Sequence, residues 1–193
     1  MAETAPQPST SYCGYVRRPD AKDVHRVYHD TEYGFPSQDE SVLFERLVLE
    51  INQAGLSWET ILNKRVGFRR AYRDFDVDAV ASFGEQDVEL LLQDAGIIRN
   101  RLKVNAAIVN AQRILELRAS DGGFANWLLE HHPLDKAGWV KLFKQNFKFV
   151  GGEIVGEFLM SLGYLPGAHE ENCPAFALIA ANQPPWMKSF PLR

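Results

Sequence analysis

The chain has 193 residues, 46% of them hydrophobic and 24% charged, and a formal net charge of -4. That composition suits an ordinary globular chain of one domain or two small lobes sharing a core. The charge excludes a global attraction to nucleic acid, so any such binding must come from a local patch, and no apolar run approaches the roughly 20 residues of a membrane helix.

Residues 1–11 are rich in Pro, Ser, Thr and Ala, with neither a basic nor an apolar region. They read as a disordered extension rather than a signal peptide. Ser11 to Pro36 lacks clean periodicity but is dense in chemistry, with Cys13, Tyr15, His25, Tyr28, His29 and Tyr33. Ser37-Gln38-Asp39-Glu40 fits a capping box with Ser37 as N-cap, opening a helix that runs to about Ala54. Gly55 ends it and Ser57 can cap the next, expected over 58–72. Asp76 is placed to cap a short helix through Val80, and others fit 85–94, 100–117, 124–129 and 134–146. Phe147 to Gly152 is an apolar turn into a further helix ending near Leu162. A proline-rich tail from Gln183 reads as irregular, so the domain proper is expected over 12–182, with 183–193 as a tail. No strand pattern is convincing, and the class is all-α.

One stretch of the first long helix stands apart. Leu43, Leu47, Glu50 and Ala54 share a face, which puts a carboxylate on the apolar stripe. Burying it costs several kcal/mol unless it is paired, or else its pKa rises. Trp58 follows at the mouth of the next helix. A buried acid facing an aromatic wall suits a small, flat, polar or cationic ligand. The plainer alternative is a capping Glu beside an ordinary core Trp.

A second constellation joins the chain's ends. Cys13 and His29 lie near the start, and His169 and Cys173, spaced H-x3-C, lie near the end. Two thiolates and two imidazoles are what tetrahedral zinc takes, and four protein ligands make a structural site that clips the N-terminal segment to the C-terminal one. Chance placement is the alternative, since neither half carries C-x2-C. A disulfide is the lesser use for the two cysteines without an export signal. His131-His132-Pro133 reads as a solvated helix end.

Five collinear runs carry a resemblance. Cys13-Gly14-Tyr15, Tyr28 to Gly34, Glu50 to Trp58, Gln93 to Arg101 and Phe147 to Gly151 together resemble the 3-methyladenine DNA glycosylase I family, from Cys13 to about Cys173. The resemblance implies an all-α helix-hairpin-helix DNA glycosylase fold and a structural zinc on Cys13, His29, His169 and Cys173. It implies that Glu50 and Tyr28 hydrogen-bond the excised base while Trp58 stacks on it. Tyr15 and Tyr33 stand where the family usually has tryptophan. The hairpin, Phe149-Val150-Gly151-Gly152, would bring backbone N–H groups to a DNA phosphate, with Lys144 and Lys148 adding positive charge. The implied partners are double-stranded DNA with alkylated bases and free 3-methyladenine as product. The implied state is a monomer located in the cytoplasm with the DNA.

The chemistry agrees with that implication. A glycosylase flips its nucleotide into a pocket, and N3-methylated adenine is a cation that a desolvated carboxylate and an aromatic face both favour. Its charge already makes it a good leaving group. No Asp follows Asp135, where many helix-hairpin-helix glycosylases keep a catalytic one, and no lysine is implicated in lyase chemistry. Three departures stand out. Ile51 replaces a usual glycine and is expected to narrow or refill the pocket, and Glu153 and Glu157 replace neutral residues in the hairpin helix, where an acid competes with phosphate. The function expected is monofunctional excision of 3-methyladenine. The alternatives are a homologue of altered specificity or weak excision that binds lesions or DNA, and a zinc-stabilised interaction module.

Overall fold

The computed structural model describes residues 11–188, so the extension and tail expected over 1–10 and 189–193 lie outside the described residues. Twelve α-helices and no strands occur among them. Two helices lie in the stretch that lacked periodicity: α1 (Tyr12–Val16), capped by the Ser11 side chain, and α2 (Asp23–Thr31). Their signal is hidden because the buried face of α2 is made of His25, Tyr28 and His29 rather than aliphatic residues.

α3 (Glu40–Gln53) begins differently from the expected capping box. Asp39 is the N-cap, its side chain accepting from the N–H groups of Ser41 and Val42, and Ser37 instead accepts from the Asp39 N–H. Gly55, at φ +82°, turns the chain after α3, where a left-handed backbone favours glycine. The helix expected over 58–72 is two, α4 (Trp58–Asn63) and α5 (Arg65–Ala71), broken at Lys64. Then come α6 (Val77–Ala81), α7 (Glu85–Gln93), α8 (Arg101–Asp121), α9 (Phe124–His131), α10 (Lys136–Asn146) and α11 (Gly152–Ser161). Asp76, Asn100 and Asp135 cap α6, α8 and α10 through their side chains. α12 (Pro174–Ala181) was not read from sequence.

α3 is the axis of the molecule. It packs against α4, α8, α9 and α11, while α6 lies along α8 and α10 pairs with α11. Leu43, Phe44, Leu47 and Ile51 of α3 meet Ile114, Phe124, Trp139, Phe143 and Phe158 in one continuous core. The His132 side chain is not a solvated end: its Nε2 lies 3.1 Å from the Pro185 carbonyl oxygen and its ring packs edge-on to Tyr164. The tail contains a 3-10 turn, Pro185–Met187, and Trp186 of that turn contacts Phe176 of α12.

Candidate functional site

The site is built where α1, α2, α3, α4 and α11 converge. Tyr12 and Tyr15 of α1, His25 and Tyr28 of α2, Tyr33 just beyond it, Glu50 and Gln53 of α3, and Trp58 of α4 line a cavity of about 880 Å³. Glu153, Glu157 and Met160 of α11 complete it. Each helix contributes for a local reason. Asp39 starts α3 in the register that turns Glu50 inward, and Ser57, accepting from the Thr60 N–H, starts α4 with Trp58 as its first residue.

The walls are aromatic. Trp58 and Tyr28 meet edge-on with centroids 5.2 Å apart, and Tyr28 lies 5.8 Å from Tyr33. Tyr12 and Tyr15 stack at 6.3 Å, and Tyr15 meets His25 edge-on at 5.0 Å. The Tyr12 hydroxyl lies 2.9 Å from His25 Nδ1. Burial lowers the His25 pKa, and the Glu59 carboxylate 3.9 Å from its Nε2 opposes that shift.

Glu50 is 5% exposed, and among the described residues its carboxylate makes no hydrogen bond or ion pair. Burial pushes its carboxyl well above the usual carboxylate range. Repulsion from Glu157 adds to the rise, and the Arg46 guanidinium opposes it. Tyr28 is also buried, and desolvation raises its phenol well above the ordinary value. Glu157 has a partner: the Tyr33 hydroxyl donates to its Oε2 at 2.9 Å. Ile51 does not touch this cavity. It is 1% exposed and belongs to the main core, because one residue along α3 from Glu50 turns the side chain about 100° away. The expected narrowing is corrected accordingly.

Cys13, His29, His169 and Cys173 come together with all four ligand atoms within 4.8 Å of one another. Cys13 Sγ lies 3.3 Å from His29 Nε2 and 3.7 Å from His169 Nδ1, and Cys173 Sγ lies 3.5 Å from His169 Nδ1 and 3.9 Å from His29 Nε2. Ligand bonds of about 2.0–2.3 Å at tetrahedral angles give nitrogen–sulfur edges of about 3.5 Å, which these distances bracket. The outer ring nitrogens are held: His29 Nδ1 lies 2.7 Å from Asp30 Oδ1, and His169 Nε2 donates to the Tyr33 carbonyl at 2.7 Å. The residues present fit a tetrahedral metal. The second of those contacts joins the cluster to a wall of the aromatic cavity.

The hairpin connects α10 to α11 through residues 147–151. Buried Asn110 of α8 fixes it, accepting from the Lys148 N–H at 2.7 Å and donating to the Lys148 carbonyl at 3.2 Å. Phe149 is exposed at φ +58°, Val150 packs on the core, and Gly151 caps α11. A Cβ at Gly151 or Gly152 would meet nothing within 4 Å, so no internal contact requires these glycines. Glu153 at the first turn of α11 is paired with Lys136 Nζ at 3.1 Å. Lys103 of α8 ties hairpin to cavity: its Nζ donates to the carbonyls of Asn52 and Ala54 at 2.8 Å each and lies 5.9 Å from the Phe149 ring.

All the site residues read from the sequence therefore fall in three places: a cavity, a four-ligand cluster and a hairpin. The sequence reading missed Tyr12 and Lys103, left His25 and Gln53 without a role, and did not place Glu157 in the cavity. The i, i+3, i+4 spacing of His25, Tyr28 and His29 was the available signal for the first wall. Nothing local announced Lys103 or the destination of Glu157.

Comparisons with known proteins point one way. The methyladenine glycosylase family model matches residues 19–137. DNA-3-methyladenine glycosylase 1 of Escherichia coli (strain K12) is 37% identical over 184 residues, covering 83% of this chain and 94% of that protein. DNA-3-methyladenine glycosylase of Haemophilus influenzae (strain ATCC 51907 / DSM 11121 / KW20 / Rd) is 32% identical, covering 86% and 97%. A 3-methyladenine DNA glycosylase I variant solved in complex with 3-methyladenine superimposes with a TM-score of 0.72 at 31% identity, covering 80% of this chain and 92% of that one.

Proposed function

This chain belongs to the methyladenine glycosylase family, and from that membership we propose that it is a monofunctional DNA glycosylase that hydrolyses the N-glycosidic bond of 3-methyladenine in alkylated DNA. The observation that carries the reading is Glu50, a buried carboxylate with no protein partner, in a cavity walled by aromatic rings. Such a group lacks a structural role and raises the free energy of the empty protein. A flat cation supplies what it lacks: opposite unit charges 4 Å apart gain about 4 kcal/mol at an effective dielectric of about 20. Neutral adenine offers no such gain.

In this reading the lesion nucleotide is flipped into the cavity. Trp58 stacks on the base, Tyr15 and Tyr33 add aromatic surface, and Glu50 and Tyr28 hydrogen-bond its edge. The glycosidic bond breaks with its electron pair passing to the cationic ring, which leaves as neutral 3-methyladenine. Water adds to the oxocarbenium-like sugar carbon and gives its proton to solvent. No residue forms a covalent intermediate, so no strand cleavage accompanies excision.

The hairpin at Phe149, Val150, Gly151 and Gly152 serves as the DNA contact in a helix-hairpin-helix arrangement, with the α11 N-terminus directed at a phosphate. The open space around both glycines supports that role. Zinc on Cys13, His29, His169 and Cys173 supplies no chemistry to the reaction; it fixes α1, α2 and the segment before α12 together. We place the protein with the cellular DNA, in the cytoplasm, as a monomer.

The test is release of free bases from methylated duplex DNA. Wild-type release of 3-methyladenine without strand nicking supports the reading; binding of methylated DNA without release points to the lesion-binding alternative. That alternative rested partly on Ile51 filling the pocket, and the position of Ile51 in the core removes this support.

A further inference from the structure

Among the described residues, Glu153, Glu157 and Glu170 line the cavity beside Glu50, and Glu153 and Glu170 have cationic partners in Lys136 and Arg17. Glu157 sits on α11, distant from Glu50 in sequence but on a helix packed against α3, and lines the same cavity. It is half-buried, and the Tyr33 hydroxyl, donating at 2.9 Å, fixes one of its oxygens. Tyr33 is itself anchored, because its carbonyl accepts from His169 Nε2 at 2.7 Å. No arginine or lysine forms an ion pair with Glu157 among the described residues; the nearby ammonium of Lys136 is paired with Glu153 instead. Glu50, 5% exposed and without a partner, faces the same space.

Two carboxyls facing one aromatic cavity oppose each other's ionisation when it is empty, and a single cation between them favours the charged form of both. We propose that Glu157, positioned by Tyr33, is a second cation-selecting carboxylate of this cavity, so that preference for a positively charged alkylated base over a neutral one is shared between Glu50 and Glu157. The inference rests on the reading of the cavity as a base site. It makes Glu157 a specificity determinant and Tyr33 a positioning residue rather than only a stacking surface.

The experiment measures dissociation constants of two probes by calorimetry on the full chain: 3,9-dimethyladeninium, a fixed cation, and 9-methyladenine, its neutral counterpart. Glu157→Gln keeps an acceptor for the Tyr33 hydroxyl and removes only the charge. It should weaken the cation about tenfold and leave the neutral probe nearly unchanged. Tyr33→Phe keeps the charge but frees the Glu157 carboxylate, and should weaken the cation by about threefold in the same direction. Equal weakening of both probes, or no change in either, overturns the proposal. Base release from methylated duplex DNA by wild type is assayed alongside. Release with a Glu157-independent cation preference sinks this inference and leaves the glycosylase reading standing. A Glu157-dependent preference without release does the reverse.

Discussion

α3 carries two buried glutamates five positions apart, and they are treated in opposite ways. Glu45, 1% exposed, accepts four hydrogen bonds from Arg65 and Arg69 at 2.7–3.0 Å. Burial alone would raise its pKa, but the two guanidinium groups overcome that and hold it below the usual range. Glu50, 5% exposed, accepts nothing among the described residues, and its pKa is raised. Burial is nearly the same at both ends; only the partners differ. A buried charge that the fold has neutralised is architecture, and one that the fold leaves unneutralised in a cavity is waiting for a ligand.

The largest effect should come from removing what holds both ends in place. The cavity wall opposite Glu50 is carried by α2, and α2 also carries His29 of the four-ligand cluster. Cys173→Ser should lose bound metal and lower Tm by about 10 °C, with the cavity lost alongside. Metal content by mass spectrometry and a melting curve check it; unchanged metal and Tm would break the assignment of the cluster as a structural site.

Next comes the satisfied end. Glu45→Gln leaves Arg65 and Arg69 facing a neutral amide, and should destabilise by about 2 kcal/mol, less than a fully buried pair because Arg69 is partly exposed. Urea denaturation reads this directly. A near-zero effect would erase the contrast with Glu50.

The unsatisfied end should respond with the opposite sign. Glu50→Gln removes an unpaired buried acid and should stabilise the empty protein by about 1 kcal/mol at pH 8, while weakening binding of a cationic base about tenfold. The pH dependence follows from the direction of the shift. Between the ordinary carboxylate pKa and the raised folded value, the native state holds a proton that the unfolded state has lost, so stability falls as pH rises through that window. Glu157 is shifted the same way, chiefly by burial, so Glu50→Gln should flatten the slope without abolishing it. Stability curves at several pH values for wild type and variant decide the point; parallel curves would remove Glu50 as their cause.

The smallest expected effect lies in the hairpin. Gly151 has φ -125° and open space around it, so Gly151→Ala should leave Tm unchanged. If a phosphate approaches there, DNA affinity should fall a few-fold, measured by fluorescence anisotropy at fixed salt.

The residues that decide the fold class were legible along the chain. Gly55, Ser57 and Asp76 mark helix stops and starts because capping is local, and the structure follows them. α1, α2 and α12 were not legible, since two of them are short and the buried face of α2 is made of ring and ligand side chains. The break at Lys64 and the position of Asp39 as the N-cap are also decided by packing rather than by propensity.

For the site, local spacing put Glu50 on an apolar stripe with Trp58 beyond it and offered the four metal ligands as one of two readings, and resemblance added Tyr28 and the roles of these residues. Whether that stripe ended in a core, an ion pair or a cavity depended on what α2, α4 and α11 brought to it. Ile51 and Glu157 show the limit most clearly. Adjacent to Glu50 in sequence, Ile51 points into the core, while Glu157, far away in sequence, shares its cavity. Helical geometry separates neighbours by about 100° and long-range packing brings distant turns together; local signals therefore mark most of the helices and name the chemical groups available, and which of those groups face one another is set by packing.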